Sequence, residues 1–185
     1  MPDDLIGASV RRIEDYDLLT GGASFVDDIR LDGVLHAAFV RSAYAHARIL
    51  SVDASAARAA PGVIAVYTID DLRDVLTQDR IPEGFPKPPP REEVGPYVLA
   101  AGEVCHVGEA VAVVIADSRY LAEDAAQLVM VDYDPLPATG DPRAAATKGA
   151  PLVNQRGGDN IVGRYALATG EVDAAFDRAA HVVSA

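Results

Sequence analysis

Residues 103–133, EVCHVGEAVAVVIADSRYLAEDAAQLVMVDY, set out most of a folding unit in a single stretch. Residues 103–107 read as a strand, Gly108-Glu109 as a turn, and the apolar run 111–115 as a buried strand. Asp117 or Ser118 is placed to cap a helix running to about residue 128, with Leu121, Ala125 and Leu128 on one face. Residues 128–133 return as a strand, which Pro135 and Pro137 end.

The stretch upstream repeats this style. Residues 34–41 and 46–53 are strand-like and are joined by a short connection through Ser42 and Tyr44. Asp53 is positioned to cap a short helix over 54–60, which Pro61-Gly62 terminates. Residues 63–67 form a short apolar strand. Thr68-Ile69-Asp70-Asp71 has the spacing of a capping box with Asp in place of Glu, and Tyr67 and Leu72 are spaced as a staple around it. A two-turn helix to about residue 76 is the expected result. Residues 78–94 hold Pro82, Pro86 and Pro88-Pro89-Pro90, and read as a surface loop that contacts a partner. Strands and helices in this order specify an α+β domain.

Beyond these blocks the pattern weakens. The first thirty residues read as an arm with turns at Gly21-Gly22 and little periodicity. After Asp141-Pro142 the chain reads as loop through Gly157-Gly158. Asp173 is expected to cap a short helix over 174–179, and 181–183 look like the start of a strand. A strand begun there would need a neighbour, so this end is expected to belong to an incomplete folding unit.

Composition narrows the function. A formal charge of -12 over 185 residues argues against nucleic acid, whose phosphates require clustered cations. The longest apolar run, 110–116, is far short of the roughly 20 residues of a membrane span, and the acidic start has no apolar core of a signal peptide. A cytoplasmic location is the expectation. A single cysteine, Cys105, excludes an internal disulfide, a cysteine-based zinc site and a cysteine-ligated iron–sulfur cluster within these residues.

The candidate chemical groups are few. Asp132 and Asp134 lie two apart on a strand, hence about 6.5–7 Å apart on one face, a spacing compatible with paired acid–base chemistry. A solvated strand end is the simpler reading. Asp27-Asp28 and Glu92-Glu93 are adjacent pairs with nothing to aim them. Cys105-His106 on a strand would point to opposite faces, giving an inward thiol and an outward imidazole. Thr20-Gly21-Gly22-Ala23 and Arg156-Gly157-Gly158-Asp159 match neither a dinucleotide fingerprint nor a phosphate loop. Arg41, His46 and Arg48 cluster around one connection, where they could bind an anion. Holding carboxylates or carbonyls at a domain seam suits them better. No catalytic, cofactor-binding or metal-ligating residue is assigned; Arg41, His46, Arg48, Gly108 and Glu109 are the seam candidates.

Several segments together resemble a family. Arg12-Ile13-Glu14-Asp15, Leu18-Leu19-Thr20-Gly21 and Phe25-Val26-Asp27-Asp28-Ile29 resemble the opening of molybdenum hydroxylase large subunits. The likeness continues through residues 35–42 and 45–49, Pro61-Gly62-Val63, Val107-Gly108-Glu109, Ala122-Glu123-Asp124-Ala125, Asp132-Tyr133, Leu136-Pro137 and Asp141-Pro142. Each segment is weak alone; their order and spacing across nearly the whole chain carry the resemblance. The family is that of xanthine dehydrogenase, aldehyde oxidase and carbon monoxide dehydrogenase. The resemblance implies an N-terminal arm over 1–29, an α/β-hammerhead domain over 30–142, and a linker with the first elements of a molybdenum-cofactor domain over 143–185. It also implies molybdopterin, in a cytosine dinucleotide form, held by the rest of the large subunit, with 2Fe-2S clusters and FAD on partner subunits. The family's cofactor loops, molybdenum-contacting Gln and base Glu have no counterpart among these residues. Two functions of different class follow. One is a structural and assembly part of a molybdopterin-dependent oxidoreductase acting on an aldehyde, an N-heterocycle or a similar small substrate. The other is a free-standing, non-enzymatic hammerhead binding module.

Overall fold

A computed structural model describes residues 6–82, 91, 94–167 and 169–184, and the chain divides into two units, 1–34 and 35–185. Part of the proline-rich segment, residues 83–90 and 92–93, lies outside the described residues, and so does the partner-contact expectation placed on it.

In the first unit a short helix, α1 (Asp15–Thr20), ends at Gly21, whose φ of +73° and N–H bond to the Asp17 carbonyl make a left-handed stop. A single 3-10 turn, Val26–Asp28, follows, with the Phe25 N–H donating to Asp28 Oδ2 at 2.9 Å. The sequence reading expected turns alone here. The helix escaped it because α1 buries no residue and so carries no apolar stripe.

The second unit contains β1 (His36–Arg41), β2 (Ala47–Asp53), α2 (Ser55–Arg58), β3 (Val63–Thr68), α3 (Ile69–Leu72), β4 (Glu103–Val104), β5 (Ala110–Ala116), α4 (Arg119–Ala126), β6 (Met130–Pro135), α5 (Pro142–Ala145) and α6 (Val172–Asp177). The strands form two antiparallel three-stranded sheets, ordered β1-β5-β3 and β4-β2-β6. β5 is the central strand of the first sheet, with Val113 registered against Phe39 on one side and Tyr67 on the other. Being central explains its apolar composition: Val111, Ala112, Val114 and Ala116 are all buried. Neighbours in sequence, β1 and β2, lie in different sheets. The connection between them turns at Ser42, whose Oγ accepts from the Tyr44 N–H at 3.0 Å and so bends the chain from one sheet to the other. Strands and helices together make a mixed α+β arrangement, as the sequence leads one to expect.

Helix α4 packs against β1 and β5 through alanines. Ala122 and Ala125 are buried, and Ala125 joins Ala54, Ala57, Val66, Val114 and Val129 in the largest core cluster. The expected face of Leu121, Ala125 and Leu128 is therefore shifted. Small side chains let the helix approach the sheet, and Leu128 falls beyond the C-cap Gln127 and is exposed. Leu121 instead covers Gly62, where φ is +73° and an added Cβ would come within 2.5 Å of Leu121 Cδ1. Of the two expected caps, Ser118 is the one used: its Oγ accepts from the Leu121 N–H at 3.3 Å. Ser118→Ala should lower the unfolding free energy by about 1 kcal/mol in a urea titration, and an unchanged midpoint would show the cap to be idle.

Other expectations meet mixed outcomes. The Thr68–Asp71 box forms, with both the Thr68 N–H and Oγ donating to Asp71 Oδ2 at 2.7 and 2.8 Å. The backbone bond from Thr68 is the main reason that the Asp71 carboxyl titrates below its ordinary range. Yet α3 is shorter than the two turns expected, with only turn bonds from Val75 and Leu76 to Leu72 beyond it. Strand β4 is two residues long because the chain leaves its partner β2 after Val104. The Asp141-Pro142 stretch, read as loop, opens α5: Asp141 Oδ1 accepts from the Arg143 N–H at 2.9 Å and Pro142 occupies the first turn. Asp173 does not cap α6; it lies within the first turn, after Glu171. Residues 181–184 form no strand pairing, and Val182 and Val183 are exposed. The β-branched pair had the composition of a strand without a ladder to join.

Candidate functional site

The polar groups of the second unit converge where the start of β2, β4 and the loop before β5 meet residues 151–162. His46 precedes β2 and is buried at 3% exposure, with Nδ1 2.9 Å from the Pro137 carbonyl and Nε2 3.4 Å from Glu103 Oε2. A carbonyl can only accept, so Nδ1 carries a proton. Nε2 is left facing the Glu103 carboxyl group at 3.4 Å. Glu103 Oε2 also accepts from the Gln155 N–H at 3.3 Å. A buried carboxylate is tolerable here because both of these groups face it.

The five seam candidates separate into three arrangements. Arg41 Nη1 donates to the Gly108 carbonyl at 2.8 Å, while the Ser42 N–H donates to Glu109 O and the Gly108 N–H to Ser42 O. Arg41, Gly108 and Glu109 thus form one clamp between the β1 end and the turn before β5, where Gly108 has a φ of +86°. His46 belongs to the buried pair with Glu103. Arg48 lies apart, paired on the surface with Asp134 at 3.0 Å. Arg41 and Arg48 therefore make no joint anion cradle. The Asp132/Asp134 reading also weakens as chemistry, since Asp134 is occupied by Arg48. Sequence reasoning missed Glu103, Tyr97 and Arg156. The last two form a stack in which the Arg80 and Arg156 guanidinium carbons lie 4.0 and 5.0 Å from the Tyr97 ring centre. The one available signal was an Arg-bearing Gly-Gly loop in an otherwise acidic chain.

Between these groups lies a cavity of about 250 Å³. Tyr97, Glu103, Cys105, His106 and Glu109 line it from the hammerhead side, and Asn154 and Asp159 from the other. Cys105 is half-buried, while the His106 ring is exposed and sits 3.5 Å from Glu109 Oε2. Burial first, then the Glu109 and Glu103 charges, push the Cys105 thiol up to about 12. A thiol so placed is neutral and a poor nucleophile. The folded value lies above the unfolded one of about 8.5, so its contribution to stability is complete below that pH and is lost as pH rises towards 12. At pH 8.5, iodoacetamide should modify folded Cys105 about a hundredfold more slowly than the urea-unfolded chain; equal rates would contradict this environment.

Among the described residues no group of three His, Cys, Asp or Glu side chains could hold a metal ion, and no helix is long and apolar enough to cross a membrane. The molybdopterin that the resemblance implies does not fit the cavity. Its phosphates would face Glu103, Glu109 and Asp159, while the guanidiniums of Arg91 and Arg156 already bond to Gly157 O, Asp159, Ala101 O and Tyr97 Oη.

Comparison with known proteins agrees with the fold. The family model described as the a/b hammerhead domain of aldehyde oxidase and xanthine dehydrogenase matches residues 20–137. The nicotine 6-hydroxylase large subunit of Paenarthrobacter nicotinovorans is 41% identical, over 98% of this chain and 22% of that protein. Quinoline 2-oxidoreductase from Pseudomonas putida 86 superposes with a TM-score of 0.72 at 40% identity, covering 96% of this chain and 22% of that one. A Cu,Mo-CO dehydrogenase structure gives 0.68 at 41% identity, covering 85% and 19%. The chain spans about a fifth of the length of the curated relatives that it matches. A matching family model over residues 20–137 and about 40% identity along most of the sequence place this chain in the aldehyde oxidase and xanthine dehydrogenase family, with its a/b hammerhead domain.

Proposed function

We propose that the chain is the structural and assembly part of a molybdenum hydroxylase, and that it takes no direct part in the chemistry. The observation that carries this reading is the pairing of similarity along 98% of the chain to a hydroxylase large subunit with a polar cluster whose groups are spent on one another. The seam candidates Arg41, His46, Arg48, Gly108 and Glu109 hold the hammerhead in shape for docking with the remainder of the large subunit. That remainder holds the molybdopterin, in its cytosine dinucleotide form, which supplies the hydroxylation chemistry when bound. Iron–sulfur and FAD subunits complete the assembly in the cytoplasm. The substrate class is an aldehyde, an N-heterocycle or a similar small molecule, and relatives named for nicotine and quinoline favour the N-heterocycle. Residues 1–29 act as an arm, 30–142 as the hammerhead, and 143–185 as the lead into the cofactor-binding domain.

A chimera tests this. Residues 1–185 replace the matching fifth of the nicotine 6-hydroxylase large subunit, which is expressed with its own partners. The chimera should keep its molybdenum and its hydroxylation of nicotine within about tenfold, the range expected when no reacting group is exchanged. Molybdenum retained with hydroxylation lost more than about a thousandfold would instead place a catalytic group within these residues.

A further inference from the structure

Residues 151–162 fold back over the β4 end of the hammerhead, and their attachment differs in kind from the core. Asn160 organises the loop from within: its Oδ1 accepts from the Val153 N–H at 2.8 Å, and its Nδ2 donates to the Pro151 and Ala145 carbonyls at 2.9 and 3.0 Å. The loop thereby has close ends and a shape of its own. Its attachment to the hammerhead is polar. The Gln155 N–H meets Glu103, Arg156 bonds to Tyr97 Oη and, at 3.2 Å, to the Ala101 carbonyl, and Arg91 reaches across to Gly157 O and Asp159. Among the described residues its apolar attachment is slight, confined to Val153, Val162 and Gly157 near Val94 and Pro96. Gly157 is the one buried residue of the stretch, and no residue of it belongs to any of the three core clusters.

We propose that residues 151–162 are a strap that opens as a unit, without unfolding the sheets, and gates the cavity holding Glu103, Cys105 and Glu109. The physical ground is the contrast in what holds each part. A segment fastened by a few polar bonds, here partly exposed and partly half-buried, opens at lower free energy than one fastened by buried apolar area. Gly157 is the seat of the closed position: a Cβ there would meet Asp159 O at 2.9 Å and Val94 Cγ1 at 3.0 Å. Arg156 is the fastening, because its guanidinium alone bonds both Tyr97 and Ala101. This inference stands whether or not the hydroxylase assignment holds.

Hydrogen exchange on the full chain, combined with iodoacetamide labelling of Cys105, tests it. In the unsubstituted chain the 153–162 amides should exchange at least about tenfold faster than those of β5. Arg156→Ala should raise strap exchange and Cys105 labelling together by about tenfold, leaving β5 unchanged. Two results overturn the proposal. One is strap and β5 exchanging at a common rate in the unsubstituted chain, a measurement that needs no variant to fold. The other is a faster strap in the variant with Cys105 labelling unmoved, which would mean that the strap does not close the cavity.

Discussion

Replacing His46 with leucine should lower the unfolding free energy by about 3–5 kcal/mol, the largest effect expected of any single polar substitution in this chain. The reason is what remains rather than what is removed. Glu103 is only 9% exposed, and without the imidazole its carboxylate keeps the Gln155 N–H as its one remaining partner of those described above. An uncompensated buried charge must either stay at high cost or take up a proton. The Pro137 carbonyl also loses its donor at 2.9 Å. The double variant His46→Leu/Glu103→Leu should recover a large part of the loss, since exchanging a buried ionic pair for apolar groups is often close to neutral. Chemical denaturation of the two single variants and the double variant measures the coupling. A His46→Leu loss below about 1 kcal/mol, or a double variant no better than the sum of its parts, would contradict the pairing.

Val114→Ala should cost about 2–3 kcal/mol, from roughly two lost methyl groups plus the cavity left behind. Val114 is fully buried at the middle of β5, with the alanines of α2 and α4 packed over it. Those neighbours are already small, so they cannot swell into the space, and the sheet is fixed by ladders to β1 and β3 on both sides. Alanine on the outward-facing Ile64 of β3, which is 56% exposed, should change stability by less than about 0.5 kcal/mol. Comparable losses at the two positions in a denaturant series would place the core elsewhere.

The legible parts of the fold were those with local causes. The run 111–115 announced a buried strand because a central strand covered on both faces has no reason to alternate. The Ser118 cap and the Thr68–Asp71 box were readable because a cap is a bond between near neighbours. Asp53, expected to cap α2, accepts from the Ser55 N–H but precedes the actual N-cap, Ala54. Pairing was not readable. The Ser42–Tyr44 turn bends the chain locally, but which strands β1 and β2 then join is set by partners such as Gly108 and Glu109, more than sixty residues away. The site divides in the same way. His46 was noticed as a histidine among arginines, but Glu103 lies 57 residues from it, and its importance exists only once both are buried. Leu121 and Leu128 drew attention by size, whereas the helix face was decided by Ala122 and Ala125, whose smallness is what permits close approach to the sheet. Helices α1 and α5 were missed for lack of a buried stripe, although the Asp141-Pro142 pair held a readable start signal.

On the function proposed above, these residues supply the scaffold of a molybdenum hydroxylase and hold no cofactor themselves. The most direct test of this is the metal and pterin content of the chain purified alone from a molybdate-supplemented host, by plasma mass spectrometry and pterin fluorescence after oxidation. The expected result is a folded protein with molybdenum far below one atom per chain and no pterin above background. One molybdenum and one pterin bound per folded chain, retained through gel filtration, would contradict the claim.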